Sequence, residues 1–238
     1  MSTEIAIAVT RVMNGVSARW TIDDAEDKLR WRAALAGAST YDRAANTLRV
    51  LQATGVEAVH LLPLALPASW MVNAKATSRA MQRWLSPSRA DAWLALLDAI
   101  SADLSPEGWL ALPAADREGC ARAVEQLATG DHGESLAAVT KVLALLRPQI
   151  VPLMDDAALW FALERVPEPA TADKPSAPPS AFVPMLDWFA DQVIACEAPL
   201  MALAARHDLA VLDAAQTLDR LLWMESWGTR LRSPGPQA

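Results

Sequence analysis

One lysine stands alone in the most apolar stretch of the chain. Between Leu136 and Leu146 the only charged residue is Lys141, and two carboxylates, Asp155 and Asp156, follow after Pro148 and Pro152. A lysine held in an apolar site with a carboxylate beside it can lose its proton near neutral pH and serve as nucleophile or base. Lys141 and Asp155 are therefore the candidate catalytic residues. A structural reading stands beside this one: Lys141 snorkels from the less buried side of a helix, and one of the two aspartates caps the next helix while the other complements its dipole. A second constellation is the basic stripe Lys75, Arg79 and Arg83, spaced one helical turn apart and interleaved with Trp70 and Trp84. Such a stripe is a candidate binding face for phosphates and bases, or the solvated side of an amphipathic helix.

Other chemistry finds little support in the residue pattern. His60, His132 and His207 are far apart, and Cys120 and Cys196 have no CxxC spacing, so neither a metal site nor a disulfide framework is expected. The chain contains no GxGxxG, GxxxxGK[ST], GxSxG or HExxH motif, and no cofactor is expected.

Charge narrows the partners. The net charge is −7 over 238 residues, but residues 1 to 90 carry 11 Lys/Arg against 7 Asp/Glu, whereas residues 91 to 140 carry 2 against 9. An acidic chain opposes non-specific nucleic-acid binding, which draws its affinity from phosphate neutralisation. The N-terminus has no basic region followed by a long apolar run, and no apolar stretch reaches the roughly 18 to 20 residues of a membrane span. These features predict a cytoplasmic protein that meets no membrane.

The elements that must position these residues are helices. A composition that is 53% hydrophobic, with 10 Trp but only 3 Phe and 1 Tyr, favours helix over sheet. We read an all-α fold, a single multi-helix orthogonal bundle over residues 1–238. Residues 5–21 alternate like a β-hairpin around Asn14-Gly15, with a short helix as the competing reading. Thr21-Ile-Asp-Asp is a capping signature that opens a helix to about Gly37, and a second helix begins after Ser39 or Thr40 and ends at Gly55. A short kinked element, 57–66, is cut by Pro63 and closed by Pro67. Further helices are predicted over 68–85, from Pro87 to about Leu104, through Trp109, and from Pro113 to about Gly130. Glu134 opens the central helix. The proline-rich stretch 167–181 reads as a linker or long loop, followed by helices over 184–197, from near Pro199, and over 208–227, with a frayed tail at 229–238. The indole N–H groups are expected to reach partners at helix contacts.

The run Thr140-Lys141-Val-Leu-Ala-Leu-Leu-Arg147-Pro148, continued by Val151-Pro152-Leu-Met-Asp155, resembles a family of uncharacterised bacterial all-helical proteins. In that family a lysine-bearing helix is followed by Arg-Pro and a Pro-x-x-Asp turn. VEAVHLLPLALP at 56–67 and LDRLLWM at 218–224 also look like its segments, so that the resemblance covers about half of the chain in pieces. More distantly, the same arrangement is similar to the helix-hairpin-helix DNA glycosylases. That similarity implies that Lys141 matches their catalytic lysine and Asp155 their catalytic aspartate. The chain departs from them where Gly133 lies eight residues upstream of Lys141 instead of directly before it. Two functions follow as expectations: a non-catalytic helical protein that binds a protein or small-molecule partner, and a nucleic-acid-related protein of glycosylase-like architecture.

Overall fold

The computed structural model describes residues 4–6, 19–34, 36–69, 78–129, 134–153, 177–206 and 213–232. Among them are ten α-helices and one pair of short strands, so the fold is all-α with an N-terminal antiparallel β pair. Strand β1 (Glu4–Ala6) pairs with β2 (Arg19–Thr21), in the register that sets Ile5 opposite Trp20. Regular pairing outward from a two-residue turn at Asn14-Gly15 would set Ile5 opposite Asp24. The strands are thus as expected but offset from that turn, which lies outside the described residues. The offset buries Ile5 and Trp20 together on the inner face.

Helix α1 (Ile22–Ala34) begins at the predicted box. The Asp24 N–H donates to Thr21 Oγ1 at 3.1 Å, and the Thr21 hydroxyl donates to Asp24 Oδ2 at 2.8 Å. Helix α2 (Ala36–Ala53) starts earlier than its expected cap at Ser39 or Thr40. It ends as predicted at Gly55, whose φ of 92° is open to glycine at no steric cost. There the Val56 N–H reaches the Leu51 carbonyl and the Gly55 N–H reaches that of Gln52, which satisfies the last carbonyls of the helix.

Three prolines fail to stop their helices. Helix α3 (Ala58–Ser69) continues through Pro63 and Pro67, and neither closes it. Both prolines are exposed, so the carbonyls that they deprive of a donor lie on the outer side, where water can meet them. The opposite face buries Leu61, Leu62, Ala65 and Leu66, which holds the helix in place. In the same way α9 (Phe182–Arg206) is a single helix in which Pro199 sits internally, where two helices were expected. The carbonyl it frees belongs to Ala195, which is exposed, while Leu186, Phe189, Val193, Cys196, Leu200 and Leu203 anchor one apolar face along its length.

Between these come α4 (Ser78–Trp84), α5 (Pro87–Ala99), α6 (Pro106–Ala111) and α7 (Ala114–Leu127). Ser105 caps α6 through the Gly108 N–H at 3.1 Å. Ser86, expected to cap α5, instead donates its hydroxyl to the Arg83 carbonyl at 2.5 Å. Helix α8 (Leu136–Leu146) is capped by Ser135, and the final helix, α10 (Ala214–Arg232), by Asp213, whose Oδ1 accepts the Gln216 N–H at 2.7 Å.

Every residue of α8 is buried, because α2, α3 and α7 enclose it. Helix α5 lies along α7, α9 packs on α6, α7 and α10, and α10 packs on α1. One hydrophobic cluster runs through these elements from Ile5 to Leu222. Two of the indoles pin helix contacts through their N–H groups, whereas that of the fully buried Trp93 has no hydrogen-bond partner among the described residues. Trp84 Nε1 donates to the Leu127 carbonyl at 2.9 Å and meets Trp93 edge to face, and Trp109 Nε1 donates to Asp187 Oδ1 at 2.8 Å. Of the proline-rich stretch, the described part begins at Ala177; Ala177 and Ala181 are buried, and Pro179–Ala181 forms one turn of 3₁₀ helix against α7 and α9.

Arg147, directly after α8, ties two helix ends together. Its guanidinium donates to the carbonyls of Ile100 and Leu97 (3.1 Å to the latter) at the end of α5, to that of Leu146 at 2.9 Å, and to Gln52 Oε1 at 2.6 Å. A cation at these carbonyls meets the negative end of the α5 dipole. Arg147→Met keeps the stem but strands four acceptors, three of them buried, so it should destabilise the fold by about 3 kcal/mol, read as a lowered midpoint in urea. A loss below about 1 kcal/mol would mean that water replaces the clamp.

Candidate functional site

Of the sequence candidates, Lys141, Arg79 and Arg83 lie among the described residues. Lys141 lies in the middle of α8 with 6% of its surface exposed, and its carbonyl accepts a hydrogen bond from Tyr41 Oη at 3.2 Å. The expected less buried side of the helix does not exist, since neighbouring helices close over it all round. Asp155, with Asp156, lies outside the described residues, as does Lys75. Arg79 is exposed on α4. Arg83 is committed inward: its Nε stands 3.0 Å from Oε1 of Glu134, a carboxylate with no exposed side-chain surface, whose Oε2 accepts from Thr129 at 2.6 Å. A basic stripe in the sequence is therefore divided in the fold between a solvated arginine and a structural ion pair.

The structure brings together a different set. Arg32 near the end of α1, Asp42 on α2 and Arg220 on α10 form one ionic cluster. Arg32 Nη1 donates to Asp42 Oδ2, and Arg220 Nη2 donates to Asp42 Oδ1 at 3.2 Å. The single carboxylate bridges two guanidinium groups whose side chains are 4% and 12% exposed. The Arg32 guanidinium also lies 5.5 Å from the centre of the Trp223 ring, within cation–π range. Gln216, Asp219, Arg220 and Trp223 recur at three- and four-residue steps, which puts them on one side of α10.

Asp219 is the most perturbed acid in this cluster. Burial, opposed by Arg32 and Arg220, pushes its carboxyl up to about 6, while its Oδ1 accepts the Leu153 N–H at 2.5 Å. It thereby holds the segment that leaves α8. Tyr41, beside it, is pushed well above the usual phenol range by burial and then by the charges of Asp219 and Asp42. Groups shifted by burial and by specific charges concentrate at functional sites.

Two atoms in this cluster lack a hydrogen-bond partner among the described residues. They are Arg32 Nε, on a residue 3% exposed, and Gln216 Oε1, on a residue 8% exposed. A buried polar atom left unsatisfied costs about 1 to 3 kcal/mol; Trp93 Nε1 and Arg117 Nε, elsewhere in the fold, are in the same state. The last helix carried the legible part of this signal, a Gln-x-x-Asp-Arg-x-x-Trp spacing inside an otherwise apolar run. Its partners on α1 and α2 could not be read, because Asp42 and Arg220 are 178 residues apart.

The remaining reactive groups are closed in. Both cysteines are free and buried. Burial, aided by Asp116, pushes the Cys120 thiol up to about 11, and burial raises that of Cys196, which lies 3.1 Å from the Ala6 carbonyl. No group of three or more potential metal ligands occurs among the described residues. No helix of the described residues is long and apolar enough to cross a membrane. Compared with protein-family models, curated proteins and solved structures, the chain finds no match in any of the three.

Proposed function

We propose that this protein is a non-catalytic helical binding protein, and that it holds a small polar molecule in the cluster where α1, α2 and α10 meet, next to the segment leaving α8. The observation that carries this reading is the pair of unsatisfied buried atoms, Arg32 Nε and Gln216 Oε1, within a network whose other groups are hydrogen-bonded or ion-paired. Asp42 and Arg220 fix the Arg32 guanidinium, and Asp219 draws the Leu153 backbone against the same face. A site so arranged binds through preset dipoles and charges with little reorganisation.

The glycosylase-like alternative asks for a Lys141 open to substrate and a basic face free for phosphates. Lys141 is 6% exposed, and Arg83 is paired with Glu134. Labelled duplex DNA should accordingly show no mobility shift with the protein at low salt; a shift reversed by Arg79→Ala would favour that alternative. The binding reading is tested by native mass spectrometry of the full chain purified gently from its source. A stoichiometric small molecule is expected on the wild type and should be missing from Arg32→Met. A wild-type mass equal to the bare chain would overturn the reading.

A further inference from the structure

Helices α5 and α7 lie side by side, and between them opens a groove of about 570 Å³. Small residues line it from both helices: Ala95 and Ala99, one turn apart on α5, and Ala115 and Gly119, one turn apart on α7. Leu104 and Leu112, on either side of α6, complete the apolar lining. Two carboxylates stand at the groove, Asp98 from α5 and Asp116 from α7. Both are exposed, and neither side chain forms a hydrogen bond or an ion pair with a described residue.

Gly119 is a second, independent observation. Inside a helix glycine is less favourable than alanine, since it has more backbone freedom to lose. The packing of α7 does not require it: a Cβ built there would meet only Arg122 Nη2, at 3.9 Å, an ordinary contact with the end of a flexible side chain. What the missing side chain leaves is open space on the groove, where another backbone can approach closely.

Charge selects what approaches. Residues 87–128, which hold α5, α6 and α7, carry seven Asp/Glu against three Lys/Arg, and all seven acids are exposed. Two of the three arginines are engaged, Arg117 with Asp187 at 3.3 Å and Arg122, at the groove itself, with Glu118 at 3.8 Å. The buried Arg147, on which Asp98 and Asp103 act, is turned to the carbonyls of α5. Such a surface repels phosphates and steers cations toward it. A lone amine would meet two carboxylates in an open groove, whereas a chain with several positive charges is drawn by the whole field. From Ala115 to Arg122 the groove runs about 10 Å along α7, room for about three extended residues.

We propose that the groove between α5 and α7 docks a short basic segment of a partner protein, its backbone passing over Gly119 and its Lys or Arg side chains meeting Asp98 and Asp116. The groove belongs to other helices than the Arg32–Asp42–Arg220 cluster, so this docking goes beyond the small-molecule reading and is tested separately from it.

The test is fluorescence anisotropy of the full-length protein with labelled peptides of one length, a Lys-Ala repeat and a Glu-Ala repeat. The Lys-Ala peptide should bind saturably at low salt and weaken at least tenfold by about 0.2 M salt, while the Glu-Ala peptide should not bind. Asp98→Asn with Asp116→Asn should weaken the Lys-Ala peptide at least tenfold. Gly119→Leu, which fills the groove and leaves every charge in place, should do the same. Glu125→Gln removes an exposed charge that does not line the groove and should change the affinity less than twofold. No binding of the Lys-Ala peptide would overturn the proposal. So would binding that neither the double variant nor Gly119→Leu weakens, because the attraction would then be spread over the surface. Butylamine that displaces the peptide at equal concentration, and no longer binds Gly119→Leu, would give the groove to a small amine instead. Self-association of the protein alone in sedimentation velocity, abolished by Gly119→Leu, would overturn the partner and make the occupant a second copy of this chain.

Discussion

Asp42→Ala should destabilise the fold by about 3 kcal/mol, because it leaves Arg32 and Arg220 facing each other with no anion between them. For a chain of this size that corresponds to a fall in Tm of about 6 to 12 °C. The loss comes less from the attraction forfeited than from the charges abandoned: the two guanidinium side chains are 4% and 12% exposed, whereas that of Asp42 is 24% exposed. This partial exposure keeps the figure at the low end of what breaking a buried pair costs. The same argument predicts that the triple replacement Arg32→Met, Asp42→Leu, Arg220→Met costs less than Asp42→Ala alone, since it removes the charges together. Denaturation midpoints of the single and triple variants decide the matter. A triple variant much less stable than the single one would show that the ion cluster contributes net stability to the fold.

The second large effect is a pH dependence that belongs to Asp219. Its carboxyl titrates near 6 in the folded chain, against an ordinary value of 3.8. The folded state therefore binds the proton more tightly than the unfolded one between these values. Protonated Asp219 is the comfortable form, and stability is lost as pH rises from about 4 to about 6, by about 3 kcal/mol in total. Asp219→Asn keeps an oxygen for the Leu153 N–H and cannot ionise. The difference in unfolding free energy between this variant and the wild type should grow in the variant's favour across that window and be flat above it. Two curves that run parallel from pH 4 to 7 would remove Asp219 from the cluster's electrostatics. Asp213, whose carboxyl is also raised by burial, slopes in the same direction, but it is common to both proteins and cancels in the difference.

Local chemistry was readable where it is decided within a few residues. The Thr21–Asp24 box, the Ser105-Pro106 start and the Gly55 stop are set by caps that act over one turn, and they occur where the sequence puts them. The prolines at 67 and 199 were misread for a physical reason. A proline ends a helix only when the carbonyl it deprives is buried or when nothing else holds the segment, and the sequence alone did not show that the residues whose carbonyls these two free, Pro63 and Ala195, are exposed over well-anchored apolar sides. Lys141 was legible as a cation in an apolar helix, but its meaning depended on what covers the other side of α8. That covering comes from α2 and α3, which are distant in sequence, together with α7. The charge cluster was hidden for the same reason. Each of Arg32, Asp42 and Arg220 reads as an ordinary exposed residue on its own helix, and only the packing of α1, α2 and α10 turns three surface positions into one buried network.

The state of the two cysteines has a practical side. Both thiols are enclosed and held in the protonated form, so the native chain is close to inert toward maleimides and iodoacetamides at neutral pH. A cysteine placed at the exposed Arg79 position would then be the one reactive sulfur under native conditions. Dyes or spin probes could be attached there without first deleting Cys120 and Cys196, and the parent protein would serve as its own blank.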